Sequence, residues 1–306
     1  MSQKLKDLPV GALVKDTTTT IFNQPIIWRI VAKNHEGYPE NSVTLMTDRI
    51  IADRVFDGAE PNNPLTGGNG WGRYGVSNIR QWLNSDAEAG EWYVAQHEYD
   101  TIADEYKNKK GFLNEFSDFF KKALLETEVS SYISTENTNI ILKDKVFLPS
   151  FNEMELTLYS NYDNYNEGKK FEYFTDAESK KALFTYDAAI EVGYAPEMAE
   201  VMHNTYMSYW LRSIRPDAES SVAFVNDDGF YNGTFEPRGG CGVRPVCNIS
   251  PDLYVTSIPD QDGAYILSPR KKMYIYRVDL GIYLYSSIDE VLLDKDGMYL
   301  LAADEQ

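Results

Sequence analysis

Two arginines set in apolar, strand-like runs offer the strongest chemistry in the chain: Arg212 in Trp210-Leu211-Arg212-Ser213 and Arg244 in Val243-Arg244-Pro245-Val246. A guanidinium beside large apolar neighbours has five donors that need a carboxylate or several carbonyls, so both residues are expected in the structural frame rather than in a site. Cys241 and Cys247 are the only redox candidates. Six residues of extended chain would hold their sulfurs roughly 20 Å apart, beyond disulfide reach unless the chain bends sharply, and both read as small buried apolar residues. The three histidines, His35, His97 and His203, lie in three different segments, so a metal site built on two histidines is not expected. His35 reads as a solvated turn residue, and His97 and His203 as packing residues near helix ends. Three acidic turns, Asn226-Asp227-Asp228, Asp260 with Asp262, and Asp294 with Asp296, each run into a glycine. That ending marks a tight hairpin turn, and none of the three has the spaced ligands and distal Glu of a calcium loop. The glycines from Gly67 to Gly72 lack the preceding buried strand and following helix of a phosphate cradle. No metal, no cofactor and no catalytic residue is therefore expected.

Binding is the other chemistry the residues offer. The segment from Asp57 to Gly75 has no hydrophobic period and is rich in Gly, Pro and Asn, which predicts a long loop, and loops of that length inside a domain often carry function. Trp71 and Tyr74 in it could supply stacking faces for a sugar or a protein; the other reading has Trp71 plugging the core. Phe230 and Tyr231 follow a second turn, and aromatic residues dominate binding hot spots. Trp71, Tyr74, Phe230 and Tyr231 are thus the expected ligand-binding anchors. Tyr162, Tyr165 and Tyr173, in a polar loop, read as exposed adhesive surface.

The elements that must position these residues are strands with a few helices. Ala12-Leu13-Val14, Pro25 to Val31 and Val43 to Met46 read as an antiparallel meander, and Tyr209 to Ile249 as paired strands turning at Asn226-Asp227-Asp228-Gly229 and again at Asn232-Gly233. Ser77 caps a short helix whose Ile79, Trp82 and Leu83 make one buried stripe, with Trp82 in the core. A second helix is expected from Gly111 to about Leu125, with Phe112, Phe116, Phe119, Phe120 and Leu124 on one face. Ser150 with Glu153 reads as a capping box opening a helix through Leu158, and Thr175 with Glu178 repeats the box before Leu183. After Pro269 the chain alternates Tyr274, Tyr276, Val278, Ile282 and Leu284 around turns and makes a last hairpin at Asp296-Gly297, which reads as a small β appendage.

Several of these segments carry a resemblance. The WLRS run at Trp210 followed by the GVRP run at Gly242, with Arg73 to Tyr93, the segment from Gly111, Asp144 to Met154 and Ser257 to Leu267, resembles in order a family of uncharacterised proteins of tailed-phage virions and of prophage regions in Gram-positive gut bacteria. The resemblance covers most of residues 8 to 267. It implies a C-type-lectin-like fold akin to phage receptor-binding proteins and to formylglycine-generating enzymes. Those enzymes use a cysteine pair near the C-terminal part of the fold, a pattern that Cys241 and Cys247 do not match in detail. The Glu-Pro-Asn or Gln-Pro-Asp triplet with which calcium-dependent lectins hold sugar is absent.

Composition narrows the function classes. With 29 Lys and Arg against 47 Asp and Glu, the net charge of -18 repels phosphate backbones and anionic lipid, so nucleic acid and membrane surfaces are not expected partners. No apolar run is long enough for a bilayer, and the first residues lack the apolar core of a signal peptide. Together these readings predict an α+β chain: a C-type-lectin-like domain over residues 1–267, with antiparallel sheets and flanking helices, and a β-rich appendage over 268–306. The expected function is that of a non-enzymatic virion protein, made in the bacterial host cytoplasm, that binds a host-surface glycan or protein from the tail or fibre. A decoration protein whose loops contact other virion subunits is the alternative, and an enzyme of the formylglycine-generating kind the third. A homo-oligomer is compatible with each.

Overall fold

The three apolar runs near the N-terminus become the strands Leu13–Lys15, Trp28–Lys33 and Val43–Thr47, paired antiparallel in that order. Their β-branched and aromatic residues alternate toward a core that holds Val14, Trp28, Ile30, Val43 and Leu45. The computed structural model describes residues 3–156, 166–215, 218–231 and 234–268, the last span without the side chains of 234 and 235, and the backbones of the strands Lys272–Arg277, Ile282–Ser287 and Leu301–Ala303.

The chain is mixed α+β, mostly sheet with a few short helices. In the largest sheet the meander is continued on one side by Val246–Ile249 and Val146–Phe147, and on the other by Ala264–Ser268, Tyr254–Val255 and Gln3–Lys4. Ala264–Ser268 runs parallel to Leu13–Lys15. A second sheet has the order Thr234–Phe235, Ala218–Val225, Tyr209–Arg215, Gly240–Val243, Ala52–Val55. Two neighbouring strand pairs link the sheets: Val43–Thr47 pairs with Val246–Ile249 in the first, and Ala52–Val55 with Gly240–Val243 in the second. Arg244-Pro245 is thus the step by which the chain leaves one sheet for the other. One continuous core draws residues from Leu5 to Leu267.

The helices pack on the sheets through aromatic rings. Trp28 stacks on Phe120 at 5.7 Å and meets Phe116 edge-on, while Trp82 lies 5.2 Å from Phe112. Ser77 caps Asn78–Leu83, and Ile79, Trp82 and Leu83 are buried as the stripe predicts. The helix expected from Gly111 to Leu125 is instead broken into a 3-10 turn, Phe112–Glu115, a helix, Asp118–Ala123, and a strand, Leu124–Leu125. The break lies at Phe116-Ser117, where the backbone is extended and Ser117 Oγ accepts the Phe120 N–H at 3.0 Å. A serine in this position favours the cap over the helix interior.

Two further helix expectations shift. Ser150 and Glu153 do close a reciprocal box, with bonds of 3.1 and 2.9 Å, yet residues 151–155 form turns, Glu155 has φ +46°, and Leu158 lies outside the described residues. The second box is displaced by one residue: Asp176, not Thr175, caps the short helix Ala177–Lys180, in exchange with Ser179. His35 is not solvated. Its Nε2 lies 2.9 Å from the Lys169 carbonyl and its ring packs on Tyr38 and Phe171. The strands after residue 271 pair with one another as a three-stranded sheet. Asn232-Gly233 and Asp296-Gly297 lie outside the described residues.

Candidate functional site

Arg212 is enclosed by acceptors. Its side chain is fully buried in Tyr209–Arg215; Nη1 and Nη2 each reach a Glu153 carboxylate oxygen at 2.7 Å, and the carbonyls of Ser130, Leu148 and Glu167 take the remaining donors at 2.9, 2.8 and 2.6 Å. Arg244 uses oxygens other than carboxylates: Nε donates to the Thr47 carbonyl at 2.8 Å across the sheet-to-sheet step, and the guanidinium lies over the rings of Tyr209 and Phe174. Both arginines therefore belong to the frame, as their apolar neighbours predicted. Cys241 and Cys247 are free and buried, one in each sheet.

The loop after Asp57 is held by buried carboxylates. Asp57 accepts the Trp71 and Asn78 backbone N–H groups at 2.9 and 3.0 Å, pinning the start of the loop to its end. Burial nevertheless pushes its carboxyl well above the usual range, because two hydrogen bonds only partly offset desolvation. Trp71 is half-buried and is neither a core plug nor an open platform. Its indole N–H donates to Glu219 at 2.6 Å, Arg73 covers its ring at 4.2 Å, and His97 meets it edge-on at 4.7 Å. Burial alone would raise the Glu219 carboxyl, but Arg73, the indole N–H and the Thr135 N–H bring it below the usual value. Behind Trp71, Glu60, His97 and Asp100 place ligand-type atoms within 4.8 Å of one another.

The four expected anchors do not share a face. Tyr74 is fully buried, in the 3-10 turn Tyr74–Val76 beside Phe56, so it is a core residue and not a ligand contact. Phe230 is 60% exposed, whereas Tyr231 is half-buried against Phe151. These two follow the far end of Ala218–Val225 from Glu219, the residue that holds Trp71, and that strand spans roughly 20 Å. Tyr173 is half-buried under Arg29, and Tyr162 and Tyr165 lie outside the described residues. Of the acidic turns, Asp260 and Asp262 are both bound by the buried Lys15 ammonium, at 2.6 Å for Asp260; Asp294 and Asp296 lie outside the described residues.

A surface that the sequence reading missed lies on the helices Tyr186–Val192 and Pro196–His203. Their fully buried residues are the small Ala188, Ala189 and Ala199, all at 0% exposure, while Ile190, Val192, Met198 and Val201, with Tyr194 in the link between the helices, point outward, Met198 at 47% and Val201 at 56%. Tyr206 and Phe230 extend the apolar character: Tyr206 lies 3.4 Å from Glu178 in Ala177–Lys180, and Gly229 abuts Ala177 in the same helix. An ordinary surface helix buries its large apolar residues. Here Tyr186 and Met202 pack partly against the core, while Ile190, Val192, Met198 and Val201 face solvent. The signal in the sequence was the alanine spacing, since three alanines fill the inner positions.

Residues 41–251, more than half of the chain, match the model of a family described as a domain of unknown function, DUF6273. The chain belongs to this family. No curated protein and no solved structure matches it. The DUF6273 span holds both arginines, the loop from Asp57 and the two helices with outward apolar residues. Strands before and after it, Trp28–Lys33 and Ala264–Ser268 among them, complete the larger sheet. Among the described residues, no helix of this DUF6273 chain is long and apolar enough to cross a membrane.

Proposed function

We propose that this chain is a non-enzymatic binding module that docks on a protein partner through the outward apolar face of Tyr186–Val192 and Pro196–His203. The observation that carries this reading is the inverted burial of the two helices, alanines inside and Ile190, Met198 and Val201 outside. Large apolar side chains exposed on two neighbouring helices favour an interaction site, because they cost solvation free energy unless something covers them. Aliphatic side chains suit a protein surface better than a glycan, and the one indole near the loop already has Arg73 on its ring. The sheets with flanking helices support a C-type-lectin-like frame, and the resemblance adds the setting: a phage or prophage virion component that contacts a host-surface protein or a neighbouring subunit.

The test compares the wild-type chain with Ile190→Glu/Met198→Glu/Val201→Glu, whose substituted positions are exposed and whose fold is checked by its melting temperature. Two readouts are taken: sedimentation at tens of micromolar for self-association, and adsorption of labelled protein to cells of Gram-positive gut bacteria. The proposal expects one of them to be positive for the wild type and lost in the triple variant. Equal behaviour of the two proteins in both readouts contradicts it.

A further inference from the structure

Behind Trp71, and independently of the docking face, four polar side chains are each held by one atom and turn another, outside any well-formed hydrogen bond, toward the same spot, and a tyrosine hydroxyl joins them. Glu60, fully buried, accepts from the Asn63 amide through Oε2, and its Oε1 makes no hydrogen bond. Asp100 accepts the Gln96 N–H at 2.7 Å through Oδ2, while its Oδ1, next to Tyr93 and Asn78, makes no hydrogen bond of good geometry. Asn78, also fully buried, accepts the Ala103 N–H at 2.8 Å through Oδ1 and leaves Nδ2 unpartnered. His97 Nδ1 takes the Tyr99 N–H at 3.3 Å, and its Nε2 stands 3.0 Å from Glu60 Oε1, each the other's nearest polar neighbour but out of line for a well-formed hydrogen bond. The Tyr93 hydroxyl is the fifth.

Buried polar atoms are almost always satisfied, and several unpartnered ones converging on one spot point to an ion or waters that complete them. One imidazole nitrogen and two carboxylate oxygens lie within 4.8 Å of one another, and a small inward turn of the outermost side chain brings them to the roughly 3–4 Å separations of donors that share one ion at bond lengths of about 2.0–2.2 Å. We propose that Glu60, His97 and Asp100 bind a divalent first-row transition ion of the zinc or manganese kind, with Asn78 and Tyr93 contacting its water ligands. A nitrogen among the donors and only two carboxylates favour such an ion over calcium, which takes six to eight oxygens. The held atoms of Glu60 and Asp100 orient the free ones, the arrangement by which outer contacts aim metal ligands. Occupancy requires the neutral His97 ring to carry its proton on Nδ1, which displaces the long contact from Tyr99. His97 and Asp100 are only partly buried, so an ion has access from solvent.

The test uses the full chain stripped with chelator and titrated separately with Zn2+, Mn2+ and Ca2+ in a calorimeter. Zn2+ or Mn2+ binds at one site per chain, and His97→Ala and Glu60→Gln each weaken binding by about tenfold or more, while His203→Ala, on another element, leaves it unchanged. A second readout is independent of the stability of those variants: Co2+ quenches tryptophan emission in the wild type, and much of that quenching disappears in Trp71→Phe, because the His97 ring lies 4.7 Å from Trp71. Absence of Zn2+ and Mn2+ binding, a preference for Ca2+, equal binding by His97→Ala, or quenching unaffected by Trp71→Phe overturns the assignment.

Discussion

Removing the Glu153 carboxylate strands a buried charge, so its cost and that of removing Arg212 should not add. In Glu153→Leu a fully buried guanidinium loses two 2.7 Å bonds and its nearest counter-charge at once, with Glu167 left as the other carboxylate beside it, and the Ser150 N–H and Tyr38 hydroxyl lose their acceptor. Breaking one side of a buried pair costs about 3–5 kcal/mol. The carbonyls of Leu148, Glu167 and Ser130 still hold Nη1, Nη2 and Nε, which places the expected loss near the lower end, about 3 kcal/mol. At roughly 2–4 °C per kcal/mol the melting temperature should fall by about 6–12 °C. Arg212→Met with Glu153→Leu removes the stranded charge but leaves those three carbonyls without a donor, so the double variant stays below wild type and yet loses less than the sum of the singles. The expected coupling is about 2 kcal/mol. The assay is a double-mutant cycle by urea unfolding at neutral pH. Additive losses within about 0.5 kcal/mol would refute the view that this pair holds the second sheet to residues 148–153.

Three further outcomes follow from buried groups. The Asp57 carboxyl is raised in the folded chain, so its contribution is fully present below the unfolded value and is lost as pH rises through the folded one; the stability of Asp57→Asn relative to wild type should therefore improve from pH 4 toward 7, and a difference flat with pH would contradict this. Burial raises both thiols, so Cys241 and Cys247 should resist a thiol reagent in native buffer at pH 8 and react fully in guanidinium; rapid native labelling of either would show the packing to be misread. Gly229→Ala puts a Cβ 2.0 Å from the Ala177 carbonyl at φ +83°, and should destabilise the chain by about 2 kcal/mol or more; an unchanged melting temperature would contradict the close approach of that turn to Ala177–Lys180.

The strands were legible because alternation at period two and turn residues are local signals, and Trp28, Val43 and Val222 lie inside as their pattern required. The frame role of Arg212 was legible for a similar reason, since its apolar neighbours demanded internal acceptors, although nothing marked Glu153 as the partner. Long-range placement was not legible. His35 is buried because Phe171 and Lys169 arrive from a distant segment. Tyr74 and Trp71 are three residues apart in one irregular loop, and only the turn at Tyr74–Val76 decides which goes inward. The cluster of Glu60, His97 and Asp100 has no period, and a search for paired histidines passes over a single histidine met by carboxylates. The two helices depart from the rule that large apolar residues lie inside, because three alanines with Tyr186 and Met202 take the inner positions and leave Ile190, Met198 and Val201 outside.

Amide hydrogen exchange of the chain with and without its bound partner, the assembled oligomer or the host-surface protein, tests the docking claim most directly. The account predicts slowed exchange in the spans 186–192 and 196–203, with the loop from Asp57 to Gly75 unchanged. Protection confined to that loop, with the two helices exchanging as in the free chain, would contradict it.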